Sequence, residues 1–72
     1  MAWKDFSPFS SSNIASIRHE DEQAVLEIVF LNGSTYQYYD VPSHVAKDFE
    51  RAESKGSFLA STIKGQYRYG KI

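Results

Sequence analysis

The dipeptide Asn32-Gly33 constrains the fold most strongly, because it separates two segments rich in strand-forming residues. Asn-Gly in this position is a strong short-range signal for a β-hairpin. A two-residue type I′ loop would pair Phe30 with Thr35. A three-residue loop would end with the glycine in the left-handed region, form a G1 bulge and pair Phe30 with Ser34.

The hydrophobic pattern decides between the two loops, because a shift of one residue moves every side chain to the other face of the sheet. The three-residue loop gathers the apolar side chains of both strands on one face, namely Leu26, Ile28, Phe30, Tyr36 and Tyr38. We therefore predict the bulged loop and a core on this side of the hairpin.

The remaining patterns predict one more strand and two helices. The strands are expected over residues 14–19, 24–30 and 34–40, and the helices over residues 42–54 and 57–63. Strands followed by helices indicate an α+β fold. We expect a three-stranded antiparallel β-meander followed by two helices packed on one sheet face, with a short extended C-terminal segment.

The helix limits rest on proline and glycine. Pro42 is favoured at a first helical position, and Gly56 is expected as a left-handed cap after the first helix. The second helix is expected to begin at Ser57 and to stop at Gly65. The predicted structural core consists of Ile17, Leu26, Ile28, Phe30, Tyr36, Tyr38, Val45, Phe49, Phe58 and Ile63, with Gly33 at the hairpin turn.

The length and composition limit the possible classes of protein. The 72 residues suffice for one small domain, and the absence of cysteine excludes disulfides and thiolate chemistry. No signal peptide and no apolar run of membrane-spanning length is found, so we expect a cytoplasmic protein without membrane contact. Residues 1–12 are expected to form a flexible aromatic N-terminal arm, and residues 13–72 a single domain.

The opposite face of the sheet is the first candidate for binding. It presents Val25, Val29 and Tyr39, while the arm carries Trp3, Phe6 and Phe9. An apolar face outside the core often marks a contact site. We expect either the arm or a second molecule to cover it, which gives the hypothesis of a homodimer or of binding to another protein.

The uneven charge gives the second candidate. Residues 1–54 carry four Lys/Arg and nine Asp/Glu, whereas residues 55–72 carry four Lys/Arg and no acid. Cations between aromatic residues suit a phosphate backbone with unstacked bases. The residues expected to contact nucleic acid are Lys64, Tyr67, Arg68, Tyr69 and Lys71.

Enzymatic chemistry is not expected. The two histidines are scattered, and no nucleophile, base and orienting group form a recognisable set. His19 and the three acidic residues after it are expected to form a solvated polar turn, because consecutive residues of a tight turn cannot all converge on one ion. We therefore expect no metal, no cofactor and no small-molecule substrate.

Several short motifs resemble those of the KTSC family, a short domain found at the C terminus of some lysyl-tRNA synthetases and as a small standalone bacterial protein. They are Leu26-x-Ile28-x-Phe30-x-Asn32-Gly33, Tyr36-x-Tyr38, Val41-Pro42, Ala52-x-Ser54-Lys55-Gly56 and Ile63-Lys64-Gly65-x-Tyr67-x-Tyr69. The resemblance implies a single small domain without an assigned function. Attachment to a synthetase suggests RNA binding, and protein interaction stays open as the alternative.

Overall fold

Each strand of the sheet pairs with the next strand along the chain. In a computed structural model, which describes residues 2–72, the antiparallel sheet has the order β1-β2-β3-β4-β5. The strands are β1 (Trp3–Asp5), β2 (Ile14–Glu20), β3 (Val25–Phe30), β4 (Thr35–Tyr38) and β5 (Tyr69–Lys71). Helix α1 (Ser43–Arg51) and helix α2 (Lys55–Phe58), which continues as a π-helical segment (Leu59–Ile63), lie between β4 and β5 in the sequence.

The hairpin of β3 and β4 has the predicted register. Ile28 is paired with Tyr36 and Leu26 with Tyr38. The Phe30 N–H donates to the Ser34 carbonyl at 2.8 Å, and the Gly33 N–H donates to the Phe30 carbonyl at 2.9 Å. Gly33 has a φ of +92°, so the bulged three-residue loop is confirmed.

The predicted number of three strands was wrong, because the meander has five strands, with one further strand at each edge. Lys4 is paired with His19 at the first edge, and Gly70 with Gln37 at the other. Strands of three residues are too short to show an alternating hydrophobic pattern. The start of the chain is also held by the Ala2 N–H, which donates to Glu20 Oε1 at 3.0 Å. The described part of the expected flexible arm is therefore partly a strand.

The second helix begins earlier than predicted, and Gly56 lies inside it rather than capping the first helix. The cause is Ser54, whose hydroxyl accepts a hydrogen bond from the Ser57 N–H at 3.1 Å. Serine is a favoured N-cap residue. Gly65 follows the π-helical segment with a φ of +80°, in agreement with the expected stop.

The core lies between one face of the sheet and the helices. Among the predicted core residues, those that are buried are Ile17, Leu26, Ile28, Tyr38, Phe49 and Ile63, and those that are half-buried at its border are Phe30, Tyr36, Val45 and Phe58. Five buried apolar residues are not in the predicted core list, namely Ile14, Val25, Val41, Ala46 and Leu59. Ile14 precedes a β-bulge that breaks the alternation of side chains in β2, so the pattern did not show which face of the sheet Ile14 occupies.

The expectation of a solvated turn after β2 was wrong for its first two residues. His19 and Glu20 are only 4% and 1% exposed. The Glu20 carboxylate accepts hydrogen bonds from the backbone N–H groups of Ala2 and, at 2.6 Å, Gln23. Because each buried polar group has a partner, burial is tolerated here.

His19 also joins the sheet to the start of α1. Its Nε2 lies 2.8 Å from the Val41 carbonyl, and its Nδ1 lies 3.1 Å from Asp21 Oδ1. The Ser43 hydroxyl donates to the same Asp21 oxygen at 2.8 Å. The Val41 N–H donates to the Ala24 carbonyl at 2.8 Å, and Ala24 itself has a positive φ of 56°. These contacts fix where the chain leaves the sheet for the helix.

Replacing Gly33 by Ala tests the hairpin turn. No atom would contact a Cβ at Gly33, so only the positive φ opposes the substitution, and we expect a loss of about 1–2 kcal/mol. Gly56→Ala is the matched control, because Gly56 lies in a helix and its Cβ would meet nothing closer than 3.7 Å. The control should be neutral or stabilising by up to about 1 kcal/mol. Urea denaturation of both variants measures the difference, and equal losses would contradict the left-handed turn.

Acid should weaken the attachment of the first strand through Glu20. Hydrogen bonds from the N–H groups of Ala2 and Gln23 lower the pKa of Glu20 below its usual range. The stability that this lowered pKa contributes is present above the unfolded value of about 4.3, and it is lost as the pH falls through the folded value. Glu20→Gln should flatten the fall in stability below pH 5, whereas Asp48→Asn on the exposed side of α1 should not. Denaturation from pH 7 to pH 2 measures this, and identical pH profiles would contradict it.

Candidate functional site

A groove lined by aromatic side chains lies beside the last strand of the sheet. We call it the tyrosine groove; it has a volume of about 470 Å³ and is lined by Phe30, Asn32, Ser34, Tyr36, Tyr38, Lys64, Gly65 and Tyr69. This volume falls within the range of about 300–1,000 Å³ found for small-molecule sites. The groove therefore has room for a ligand of about the size of a nucleotide.

The pairing of β4 with β5 brings the tyrosines together. Tyr38 is paired with Tyr69 and Tyr36 with Lys71, and paired residues project from the same face. The Tyr69 ring centroid lies 5.8 Å from that of Tyr36 and 5.5 Å from that of Tyr38. Phe30 packs edge-on against Tyr36 at 5.6 Å. The result is a continuous aromatic wall in which Tyr69 is 61% exposed.

Tyr38 combines a buried ring with a hydroxyl that has no protein partner. The residue is only 3% exposed, yet it lines the tyrosine groove. Within residues 2–72, its hydroxyl forms no hydrogen bond and is not completely enclosed. Burial raises the pKa of Tyr38, and the neighbouring Tyr69 and Tyr36 raise it further. At neutral pH this hydroxyl is therefore protonated and free to bind.

The far wall of the groove is formed by the end of the π-helical segment. The Lys64 N–H donates to the Leu59 carbonyl at 2.8 Å, and Gly65 then turns the chain with a positive φ. Leu59 and Ile63 are buried, which fixes the segment on the core while Lys64 stays exposed. π-helical turns are rare and occur frequently at functional sites.

The five residues predicted to contact nucleic acid do not all meet in one place. Lys64 and Tyr69 line the groove, and Lys71 projects from the same face of the sheet. Arg68 lies elsewhere: it pairs with Asp40 at 3.1 Å and sits over the Tyr39 ring, 5.5 Å from its centroid. Tyr67 is half-buried and packs against the core.

The second sheet face, where an interface was predicted, carries a row of polar contacts. The Arg18 Nε donates to Glu27 Oε2 at 2.7 Å, and Gln37 Nε2 donates to Glu27 Oε1 at 2.9 Å. The Arg18 guanidinium also stacks over the Trp3 ring, 4.1 Å from its centroid. The hydrogen bond from Arg18 is the main cause of the lowered pKa of Glu27.

These polar contacts leave little of the predicted apolar surface open. Val25 is buried, and Val29, Tyr39 and Trp3 are half-buried. The large hydrophobic residues that are most exposed in the described chain are instead Leu31, Tyr69 and Ile72.

The other two aromatic residues of the N-terminal segment lie on the helix side, not on the second sheet face. The Phe6 ring packs edge-on against Phe49 with centroids 5.5 Å apart. Phe9 packs against the core, and its ring faces the buried ammonium of Lys55 at 5.3 Å. The expectation that these two residues would share a surface with Val25 is therefore wrong.

The described chain contains no arrangement that suggests catalysis. Among residues 2–72, no cluster of three or more histidine, aspartate or glutamate side chains could hold a metal ion. Ser43, Asp21 and His19 are in contact, but the carboxylate lies between the hydroxyl and the imidazole. The histidine therefore cannot accept the proton of the serine. In the same range, no helix has the length and apolar character needed to cross a bilayer.

Sequence reasoning assigned three of the eight residues that line the groove to the core. Phe30, Tyr36 and Tyr38 were predicted as core residues, Asn32 and Gly65 only as turn or stop positions, and Ser34 as the first residue of a strand. One signal was present in the sequence, because a buried tyrosine needs a partner for its hydroxyl whereas phenylalanine does not. That signal becomes specific only once Tyr69 is known to lie beside the other two tyrosines.

Comparison with known proteins identifies the family. The family model of the KTSC domain matches residues 10–67, and the chain belongs to this family. A crystal structure of a KTSC domain protein from Yersinia pestis is similar over 99% of both chains, with a TM-score of 0.87 and 42% sequence identity. This similarity includes the segments outside the family model, among them strands β1 and β5.

The curated relatives are of two kinds. A lysine–tRNA ligase of Nostoc sp. is 36% identical over 61 residues, which are 85% of this chain but only 11% of the ligase. A small protein of Tsukamurella paurometabola is 36% identical over 61 residues and is covered over 91% of its length. An uncharacterized protein of Stutzerimonas stutzeri is 36% identical over 63 residues, 89% of its length. The domain thus occurs both alone and as a small part of a much larger ligase.

Alanine substitutions should separate the structural tyrosine from the exposed one. Tyr38→Ala should lower the free energy of unfolding by about 3 kcal/mol, since a large ring is removed from a packed position. Tyr69→Ala should lower it by about 1 kcal/mol or less, because most of its side chain is already exposed. Urea denaturation measures both values. A small loss for Tyr38→Ala would show that its ring is not part of the core.

Proposed function

We propose that this KTSC domain is a noncatalytic module that binds single-stranded RNA through the tyrosine groove and the two lysines beside it. The observation that carries the proposal is the juxtaposition of an exposed aromatic wall with Lys64 and Lys71 on one side of the sheet. Grooves that bind single strands combine positive charge for the backbone with aromatic rings for the bases.

The cations of residues 55–72 differ in their availability for phosphate. Lys55 is 7% exposed and its ammonium donates to the Ala52 carbonyl at 2.6 Å, so it serves the fold. Arg68 is already paired with Asp40. Lys64 and Lys71 are exposed and form no ion pair within residues 2–72, which leaves them free to neutralise phosphate groups.

Two contacts with phosphate imply weak binding that depends only moderately on salt. For single strands, each neutralised phosphate contributes about 0.7 to the slope of log K against log salt concentration. Affinity in the micromolar range or weaker is therefore expected at moderate salt. Such an affinity suits an accessory contact in a larger protein, and one group of relatives bears the name lysine–tRNA ligase.

Charge-removing variants test the function. Lys64→Gln combined with Lys71→Gln should weaken binding of a fluorescein-labelled uridine decamer and reduce the salt slope by about 1.4. Lys4→Gln combined with Lys47→Gln removes the same charge near the opposite edge of the sheet, and it should leave binding unchanged. Fluorescence anisotropy at several salt concentrations measures both.

Arg68→Gln provides a second control, because Arg68 was predicted from the sequence as a contact residue but lies over Tyr39. Its removal should leave the affinity within about twofold, because its guanidinium lies over Tyr39 and does not line the groove. Equal binding by all variants, or no binding by the wild-type protein at low salt, would overturn the proposed function.

A further inference from the structure

We infer that the tyrosine groove accepts a single unstacked RNA base, which stacks on Tyr69 and forms a hydrogen bond with the hydroxyl of Tyr38. This inference rests on the proposed function and goes further, since phosphate contacts alone would not require a base to enter the groove. It assigns separate tasks to the groove and to the lysines: the groove binds the base, and the lysines hold the adjoining phosphates.

The hydroxyl of Tyr38 is the first support. The residue is only 3% exposed, but its hydroxyl keeps access to solvent, because the described chain contains no fully buried polar side-chain atom without a partner. This hydroxyl has no partner in the described chain and borders the groove. Water can satisfy this hydroxyl in the free protein, and a ligand that enters the groove can take the place of that water.

Tyr69 supplies a surface for stacking. Its ring is held by Tyr36 and Tyr38, with angles of 41° and 34° between the ring planes, while 61% of the residue remains exposed. A ring fixed in this way loses little conformational freedom when a second ring stacks on it. Stacking on an aromatic side chain tolerates any base, since every base has a π face.

The size and the charge of the groove narrow the class of ligand. Aromatic cages also bind quaternary ammonium groups. Here Lys64 forms part of the lining, so a cation would be repelled and an anionic ligand is favoured. Bases inside an RNA duplex are stacked on their neighbours and are not free to enter, whereas those of single strands and loops are. A volume of about 470 Å³ fits one nucleoside.

The rim of the groove offers further hydrogen bonds to a base. Asn32 uses its side-chain oxygen to accept from the Ser34 N–H at 3.0 Å, so its amide group remains available as a donor. This residue and Tyr38 both line the groove. A base stacked on Tyr69 would therefore meet polar groups along its edge and an aromatic ring on its face.

A comparison of two ligands tests base insertion directly. We compare a labelled uridine decamer with a decamer of the same ribose-phosphate backbone that carries no bases, so that the charge is constant. The wild-type protein should bind the abasic strand about tenfold more weakly, as expected for the loss of one stacked base. Tyr69→Leu should bind both strands with the same low affinity, since leucine retains apolar volume but offers no π face.

Removal of a single hydroxyl gives the finer test. Tyr38→Phe retains the ring and should weaken binding of the uridine strand severalfold without affecting the abasic strand. Tyr39→Phe removes a hydroxyl from the second sheet face and should affect neither. Circular dichroism of each variant establishes that the fold is intact.

The outcomes distinguish this inference from the proposed function. If both strands bind the wild-type protein equally well and Lys64→Gln combined with Lys71→Gln weakens both, the domain binds phosphates only, and base insertion is excluded while RNA binding stands. If neither strand binds at low salt, RNA binding and base insertion fall together. If Tyr69→Leu still prefers the uridine strand, the base is bound elsewhere and the inference is overturned.

Discussion

The pairing of Ile28 with Tyr36 is the constraint on which the rest of the structure depends. It follows from the left-handed glycine at the hairpin turn, which adds one residue to the loop and so selects which side chains face the helices. A shift by one residue would place Tyr36 and Tyr38 on the opposite face of the sheet from Leu26 and Ile28. The core would then be lost together with the groove, because both use the same face of the same two strands.

The shared face explains why the structural and functional roles are difficult to separate. At the centre of the sheet this face is covered by α1 and by the π-helical segment, so Leu26 and Ile28 have no exposed surface. Toward β5 the cover ends at Gly65, and the aromatic residues there are partly open. Tyr38 lies at the border between the two regions: its ring packs with the core and its hydroxyl borders the groove. The groove is therefore an edge of the core that the helices leave uncovered.

The second sheet face shows how a small domain can expose a sheet without leaving it apolar. Arg18, Glu27 and Gln37 are cross-strand neighbours whose side chains form hydrogen bonds with one another. The Arg18–Glu27 contact is partly shielded from solvent, because the Glu27 side chain is only 11% exposed. A chain of such contacts satisfies its own polar groups. It therefore gives a partner protein less reason to bind than an open apolar patch would.

The sequence alone determined the α+β class, the hairpin register and about half of the buried apolar side chains, because these depend on local turn chemistry and on a repeat of two or four residues. It did not determine the two edge strands, since three residues are too few for a periodic pattern. The burial of His19 and Glu20 could not be predicted either, because their partners Val41 and Ala2 lie 22 and 18 residues away in the sequence.

The groove was decided by tertiary structure for the same reason, because β5 pairs with β4 only after the helices have returned the chain to the sheet. That return places Tyr69 beside Tyr36 and Tyr38, with Lys64 and Lys71 next to them, and sends Arg68 to the opposite face.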